Sequence, residues 1–355
     1  MNFRTVLLMF ASILFTLFAN AQLVKYADGR PYATMRVSCN DVGVVLRHGN
    51  GPDSCDTYGA REAIVNKVNG KYYLFYDGAG STGWLACQAV STDLIHWKKR
   101  GPSLHLGKEP APDSKSASSP WVILDHGTWH MFYLGTPNTT PAPDRVPSFP
   151  YLTMKAKSKS IKGPWIKQYD VRPFAENKHS FYTVTSSPGF IVKYKNKFLQ
   201  FFSGATQDSL GIRRTLGLAT TTNLDSTWNI RQKPLFPLSE QVENSSIYYN
   251  ESSKTWYLFT NHIGLGTDKI EYTDAIWVYW SKDILNWDSN NKAIVLDKRN
   301  CTWAKGAIGM PTVIKYGNKL AMLYDAVPGN GTSHMGRDIG LAWIDLPIRI
   351  EKIKN

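Results

Sequence analysis

The chain has 355 residues, 43% of them hydrophobic, and a formal net charge of +13. This hydrophobic content is enough for a sizeable core and excludes a globally disordered chain. The positive charge alone would suit nucleic acid, but no helix-turn-helix, finger or RNA-binding motif accompanies it, so we predict no nucleic-acid partner. An acidic polysaccharide partner and a merely soluble basic surface are the two interpretations that remain.

The first 21 residues predict a secretory signal peptide. Arg4 precedes an apolar run over residues 6–18, and Ala19-Asn20-Ala21 offers the small-x-small pattern of a cleavage site. The alternative is a membrane anchor, but ~13 apolar residues are short of the ~20 that span a bilayer. We therefore expect a secreted or periplasmic protein without a membrane span.

Four cysteines follow the signal peptide, namely Cys39, Cys55, Cys87 and Cys301. None belongs to a C-x-x-C pair, which argues against a zinc site. In an oxidising compartment four cysteines allow three complete disulfide pairings, and the spacing does not choose between them. Free buried thiols are the equal alternative.

A repeated pair of apolar runs organises the rest of the chain, with a polar turn inside each pair. The second runs align as Leu74-Phe75-Tyr76, Met131-Phe132-Tyr133, Gln200-Phe201-Phe202, Leu258-Phe259-Thr260 and Met322-Leu323-Tyr324. A third strand, a polar turn and a fourth strand opened by Trp follow in the first four repeats. Those tryptophans are Trp97, Trp165, Trp228 and Trp287.

Five repeats of four antiparallel strands predict an all-β fold, a five-bladed β-propeller around a central channel, over residues 58–348. A β-sandwich pair is the alternative. The fifth repeat stops before its fourth strand, and the segment 22–57, which contains VGVVL, could supply it. We expect this segment to close the ring, because an open ring leaves an unpaired edge. Residues 349–355 are expected to form a tail.

The starts of the five first strands should meet at the mouth of the channel. They read Arg61-Glu62, Ser118-Ser119, Ser186-Ser187, Glu243-Asn244 and Gly309-Met310. Two of them carry a carboxylate, as glycoside cleavage requires: one carboxyl protonated as acid and one ionised as base or nucleophile. The structural alternatives are an ion pair of Glu62 with Arg61 and a turn cap by Glu243.

Two aspartates in the loops that lead into these strands are further candidates. Asp56 rivals Glu62 as the carboxylate of the first repeat, and Asp113 could tune the pKa of the acid by its charge. A loop aspartate is more often a turn residue, and that alternative stays open for both.

Other polar and aromatic side chains near strand ends and loops could bind a sugar. They are Arg61, Trp84, His179, His262, His334, Arg337 and Asp338. An imidazole could also act as the acid, although a lone histidine is more often structural. The sequence predicts no cofactor and no metal cluster, and it leaves a channel-bound Ca²⁺ open, because oxygen ligands have no fixed spacing.

The phrases VNGKYYLFYDG, STDLIHW and IGLAW resemble the five-bladed β-propeller glycoside hydrolases of families 43, 62, 32, 68 and 117. The resemblance implies a blade-one base or nucleophile, which falls on Glu62 with Asp56 as the alternative. It implies a glutamic acid donor on a later blade, here Glu243, and a tuning aspartate, loosely Asp113.

Family 117 implies a histidine as the acid, which points to His262 or His334. The chain departs from the family at the blade-one Asp-Pro pair, which here reads Glu62-Ala63. The second and third repeats carry Ser-Ser-Pro where the family often has an acid. These departures put the family's catalytic set in doubt for this chain.

These observations together predict a secreted, exo-acting glycoside hydrolase on oligosaccharides derived from plant or algal polysaccharides. The basic surface weakly favours an acidic substrate. A non-catalytic carbohydrate-binding propeller is the first alternative. The second is a glycosyl-transferring or phosphorolytic enzyme, with Arg61, His262 and Arg337 as the phosphate candidates.

Overall fold

The computed structural model describes residues 26, 28–209, 211–265 and 270–353. The predicted signal peptide lies outside these residues. Across the described ranges, the helical elements are two short 3₁₀ turns, Pro52–Ser54 and Leu238–Glu240, and the other regular elements are β-strands. The predicted all-β class is confirmed. None of the described helical turns is long and apolar enough to cross a membrane.

The strands fall into an N-terminal pair, a series of consecutive units and a short C-terminal strand. The N-terminal pair is β1 (Met35–Val37) and β2 (Asn40–Leu46). The first unit is β3 (Gly59–Val68), β4 (Lys71–Gly80), β5 (Gly83–Ser91) and β6 (Lys98–Pro102). The second unit is β7 (Ser116–Asp125), β8 (Thr128–Thr136), β9 (Leu152–Ser158) and β10 (Ile166–Lys167).

The later units have the same strand order. The third unit is β11 (Thr185–Tyr194), β12 (Lys197–Asp208), β13 (Gly211–Thr221) and β14 (Asn229–Ile230). The fourth is β15 (Val242–Asn250), β16 (Thr255–Leu265), β17 (Glu271–Ser281) and β18 (Lys292–Asp297). The fifth is β19 (Ile308–Tyr316), β20 (Lys319–Ala326) and β21 (Asp338–Asp345), and β22 (Ile350–Lys352) follows.

Hydrogen bonding joins these strands into four sheets. The first and second units share one sheet through a short parallel pairing of β5 with β7. The third unit is a sheet of its own, and β1 and β22 extend the fourth. In the fifth unit β2 lies antiparallel to β21, so an N-terminal strand occupies the fourth position. Residues 349–355, expected as a tail, contribute β22, which pairs with β1.

Hydrophobic clusters fill the spaces between the units. One joins the first and second units, and others join the second to the third, the third to the fourth and the fourth to the fifth. A further cluster packs Leu74 and Tyr76 of the first unit against Leu323 and Ile339 of the fifth. The first unit therefore packs against both the second and the last, because burying each apolar face requires a neighbour on either side.

Each first strand bends at a β-bulge close to its start. The register shifts begin at Arg61, Ser118, Ser187, Glu243 and Gly309. In the third unit this position is Ser187 followed by Pro188, one residue later than the sequence alignment places it. In the other four units the next residue has a left-handed backbone. These residues are Glu62, Ser119, Asn244 and Met310, with φ of 50°, 47°, 59° and 54°.

Each left-handed residue donates a hydrogen bond to a neighbouring unit, and we call this hydrogen bond the inter-unit staple. The backbone N–H donates to a side chain on the second strand of the preceding unit, or of the fifth unit in the case of Glu62. The staples are Glu62 to Asp325, Ser119 to Asp77, Asn244 to Ser203 and Met310 to Asn261. Pro188 has no N–H to donate, and Leu134, paired with Ser118 in the second unit, stands at the position where the other units carry the acceptor. At the start of the third unit, the staple therefore lacks both its donor and its acceptor.

Candidate active site

A cavity of about 270 Å³ lies at the bulged ends of the first strands. Every unit contributes to its wall, and so does the segment 146–151 between β8 and β9. Staples and bulges place the polar groups, because a left-handed residue turns its side chain out of the strand's alternation. Left-handed backbone costs about 1–3 kcal/mol at a non-glycine residue, and such strain is concentrated at functional sites.

Glu62 and Asp77 form a carboxyl pair in this cavity, bridged by Ser119. The Ser119 Oγ lies 2.5 Å from Glu62 Oε2 and 3.2 Å from Asp77 Oδ2. Burial raises the pKa of Glu62 against the opposing effects of Arg61 and Ser119, and the charges of Glu243 and Asp325 raise it further. Burial, with the nearby charge of Glu62, raises the pKa of Asp77 well above its usual range. The pair therefore favours holding a proton.

Glu243 has a different environment in the same cavity. Arg214 Nη1 contacts Glu243 Oε1 directly, while its Nε and Nη2 donate to Glu271 Oε2 at 3.0 and 2.8 Å. A guanidinium in contact with a carboxylate compensates its charge and fixes its position. The cavity therefore combines a carboxyl pair that tends to hold a proton with a carboxylate held by an arginine, an asymmetry that suits an acid and a base.

Arg61 and His334 form a third polar group of the cavity wall. The Nη1 of Arg61 lies 3.0 Å from His334 Nδ1, and its guanidinium lies 5.1 Å from the centre of the Trp84 ring. A guanidinium only donates, so Nδ1 of His334 accepts and the imidazole proton lies on Nε2. Burial, followed by the charges of Arg61, Arg337 and Arg214, holds the pKa of His334 well below its usual range. His334 is thus a neutral donor here.

Arg337 connects the cavity to the staple of Glu62. Its Nη1 donates to Asp325 Oδ1 at 2.6 Å and to Thr273 Oγ1 at 3.1 Å. The other oxygen of Asp325 accepts the Glu62 N–H at 2.7 Å. Arg337 and Asp325 are both fully buried. This buried ion pair fixes the backbone that carries Glu62.

Asp56 does not line the cavity, in contrast to its candidate role. It is fully buried, accepts the hydroxyl hydrogen bond of Tyr76 at 3.0 Å and lies 2.5 Å from Lys99 Nζ. Tyr76 is on β4 and Lys99 is on β6. Asp56 therefore ties the leading loop of the first unit to its second and fourth strands.

Asp113 repeats this arrangement in the second unit and also lies away from the cavity. It accepts from Tyr133 of β8 at 2.8 Å and lies 2.5 Å from Lys167 of β10. We call these two groups, Asp56–Tyr76–Lys99 and Asp113–Tyr133–Lys167, the loop locks. Each compensates the charge of a buried aspartate with a lysine, which is the requirement for burying such a charge.

His262 is also outside the cavity. Its ring stacks on Trp277 with 3.8 Å between centroids, and its Nδ1 lies 2.8 Å from Arg30 Nη1. Burial, opposed by Asp274 and helped by the charge of Arg30, lowers its pKa. The structure therefore places His262 in the packing of the fourth unit, on β16.

Two further candidates lie elsewhere. His179 is on an exposed loop, where its N–H donates to Asn177 Oδ1. Asp338 is buried and accepts from the backbone N–H of His48, with the His48 Nδ1 2.7 Å away. Neither side chain lines the cavity, whereas Arg61, Glu62, Trp84, Glu243, His334 and Arg337 do.

Three charged residues of the cavity are absent from the sequence prediction. Asp77 carried a readable signal, because YDG at the end of β4 matches YDA at the end of β20. Asp77 and Asp325 pair with Arg61 and Gly309, which are equivalent bulge positions. Arg214 and Glu271 carried none, since each lies within or at the start of a third strand, away from the strand starts and loops where candidates were sought.

The described residues hold no group of three or more His, Cys, Asp or Glu side chains arranged for a metal ion. The polar groups of the cavity are instead engaged with one another, as arginine–carboxylate pairs and as hydrogen bonds through Ser119 and Thr273.

No protein-family model and no curated protein matches the chain. Its fold does match solved structures. The structure of a glycoside hydrolase superposes with a TM-score of 0.66 at 15% identity, covering 89% of this chain and 95% of that one. The catalytic domain of a GH62 α-L-arabinofuranosidase from Coprinopsis cinerea gives a TM-score of 0.62 at 14% identity, with 89% and 99% covered.

A family 117 glycoside hydrolase of the marine bacterium Zobellia galactanivorans gives a TM-score of 0.60 at 16% identity, with 87% of this chain and 91% of that chain covered. Similarity at this level of identity concerns the fold. The protein has the fold of the propeller-type glycoside hydrolases that its sequence resembles.

Proposed function

We propose that the protein is a secreted, exo-acting glycoside hydrolase, and that its five units are the blades of a five-bladed β-propeller closed by β2. The observation that carries the activity is the pairing, in one cavity, of a carboxyl group with a raised pKa and a carboxylate in contact with an arginine. Named glycoside hydrolases share the fold, which supports the reaction class.

Glu62 is the proposed general acid, and Glu243 the base or nucleophile. The raised pKa of Glu62 suits a group that must arrive protonated and give its proton to the glycosidic oxygen as the bond to the anomeric carbon breaks. Glu243, held by Arg214, suits attack on that carbon or proton removal from water. These roles are the reverse of those predicted from the sequence, because the sequence does not show that Arg214 contacts Glu243.

The remaining groups bind and position the sugar. Trp84, Phe149 and Tyr151 give the cavity aromatic surface, on which the apolar face of a sugar ring can pack. Arg61 and the Nε2–H of His334 are donors for sugar oxygens. The segment 146–151 walls one side of the cavity, which supports binding of the end of an oligosaccharide and therefore exo-action.

The test is sugar release from arabinan, xylan, fructan, agar and uronate-rich or sulfated oligosaccharides. We expect release by the wild type and a loss of roughly 10²–10⁴-fold in Glu62→Gln and in Glu243→Gln. Glu251→Gln, on an exposed turn, is the matched control and should keep full activity. Binding without release by the wild type would replace the proposal with a carbohydrate-binding propeller.

The two roles separate on a substrate with an activated leaving group. A nitrophenolate needs no protonation, so Glu62→Gln should recover most of its activity on a nitrophenyl glycoside while Glu243→Gln should not. The opposite pattern would restore the sequence-based assignment of Glu243 as the acid.

Phosphorolysis is the second candidate, because Arg61, Arg337 and His334 give one cavity wall several donors for phosphate. His262, the other phosphate candidate, lies outside this wall. Phosphorolysis requires inorganic phosphate and yields a sugar phosphate, so product analysis with and without phosphate distinguishes it from hydrolysis.

A further inference from the structure

The four cysteines lie in two separate pairs. Cys55 and Cys87 belong to the hydrophobic cluster between the first and fifth units. Cys301 belongs to the cluster between the fourth and fifth units, and Cys39 packs against that same cluster. All four are free thiols in the structure. Of the three complete pairings that the sequence leaves open, this one alone joins cysteines of the same cluster.

The Cys55 and Cys87 thiols are direct neighbours. Cys55 lies in the loop before β3 and Cys87 on β5, and the side chains are 2% and 0% exposed. Cys87 Sγ is 3.8 Å from the carbonyl oxygen of Cys55. Burial, followed by the neighbouring Cys55 thiol, raises the pKa of Cys87 well above its usual range. A Cβ at Gly78 would collide with that oxygen and would lie 2.6 Å from Cys87 Sγ. Glycine at this position of β4 is therefore what lets the two cysteines approach.

Residues beside Cys39 and residues beside Cys301 contact one another. The Asp41 Oδ2 accepts hydrogen bonds from the N–H and the Oγ1 of Thr302, both at 2.6 Å. The Tyr324 hydroxyl donates to Asp41 Oδ1 and lies 3.6 Å from Cys301 Sγ. These bonds hold the start of β2, two residues after Cys39, against the segment before β19 that contains Cys301.

We propose that the protein forms two disulfides, Cys39–Cys301 and Cys55–Cys87. In each, two thiols lose two protons and two electrons to a disulfide oxidant such as glutathione disulfide, which leaves as two glutathione thiols. The first bond ties the N-terminal segment that carries β2 to the connection between the fourth and fifth units and spans most of the chain. The second ties the loop of the Asp56 lock to β5. Cys55, Cys87 and Cys301 are buried and Cys39 is partly buried, so both bonds form as the chain folds.

The test is oxidative refolding of the reduced, unfolded protein in a glutathione redox buffer, which does not depend on where the protein resides. Free thiols are then alkylated, and peptides are mapped by mass spectrometry without reduction. We expect the peptide pairs 39–301 and 55–87 and no alkylated cysteine. Four alkylated thiols, or a link between the clusters such as 39–87, would overturn the proposal.

Thermal unfolding tests the stabilising role separately from the linkage. A disulfide stabilises the folded chain, and more so when it closes a longer loop, so reduction should lower Tm by roughly 5–10 °C. The variant Cys39→Ala/Cys301→Ala should lose more of this reduction-dependent shift than Cys55→Ala/Cys87→Ala, because it opens the longer loop. Comparing each variant with itself, oxidised and reduced, cancels the packing lost with the thiols. An unchanged Tm on reduction would refute the role.

Discussion

The loop locks and the cavity pair both contain buried carboxyl groups, but the side chains that surround those groups differ. In the locks, Asp56 and Asp113 each touch a lysine at 2.5 Å and a tyrosine hydroxyl. In the cavity, Glu62 shares Ser119 with Asp77, and the nearest Arg61 nitrogen is 3.7 Å away. Burial alone therefore does not distinguish Glu62 from the two lock aspartates, whereas the distance to a compensating cation does.

The lock arrangement is part of the fold rather than a feature of one loop. In the fourth unit Glu240 accepts from Tyr279 at 2.7 Å and from Lys292 at 2.8 Å, which repeats the carboxylate–tyrosine–lysine composition. The cavity carboxyls, by contrast, cost stability when they ionise. A protein retains such groups when function requires them.

Removal of a lock should give the largest effect on stability. Asp56→Asn leaves Lys99, whose side chain is 11% exposed, without a counter-charge, which should lower the free energy of unfolding by about 3 kcal/mol. Asp113→Asn should do the same at Lys167, whose side chain is 15% exposed. Urea unfolding measures the loss, and activity per folded molecule should be unchanged.

The double variant Asp56→Leu/Lys99→Met is the control, since it removes both charges and should regain part of the loss. Loss of activity in a fully folded Asp56→Asn protein would instead return Asp56 to the candidate site and break the comparison.

The carboxyl pair of the cavity should make the folded protein less stable as the pH rises. Because the pKa values of Glu62 and Asp77 are raised in the folded state, the native protein binds protons more readily than the unfolded chain. Their contribution to stability is therefore present below the ordinary carboxyl pKa of about 4 and is lost as the pH rises through the folded-state pKa values.

Asp77→Asn should thus match the wild type near pH 4 and exceed its Tm at pH 8, where the wild type must carry an ionised pair. Glu62→Gln should behave likewise while losing activity. Tm measured from pH 4 to pH 8 tests this, and parallel curves for variant and wild type would show that the cavity pair does not hold a proton.

The smallest effect is expected at Ser119. Loss of its hydroxyl in Ser119→Ala should cost about 1 kcal/mol of stability. Ser119 lowers the pKa of Glu62, so its removal raises that pKa and moves the high-pH limb of the activity profile, where the acid deprotonates, to higher pH.

Ser91→Ala is the matched control, because Ser91 is a buried serine that bonds Asp93 in a turn outside the cavity. It should lose similar stability without moving the profile. A profile equally unmoved in Ser119→Ala would remove Ser119 from the bridge between the two carboxyls.

Local pattern determined much of this protein from its sequence. Alternating apolar runs around turn residues specify hairpins, since side chains alternate faces in a strand, and their repetition predicts the all-β units that the structure contains. Several cavity residues could also be predicted from the sequence, because polar groups at strand starts and in loops stand out from an apolar background. They are Arg61, Glu62, Glu243, His334 and Arg337.

Only the tertiary structure determined which charged side chains lie in contact. The sequence left Asp56 as an alternative to Glu62, and the structure shows that Asp56 pairs with Lys99 instead. The sequence predicted Glu243 as the acid, and the structure shows that Arg214 of the third unit contacts it. The same holds for the four cysteines, whose pairs come from segments far apart in the chain. Spacing along a chain specifies strands, whereas the state of a buried group depends on neighbours that only the packing of units supplies.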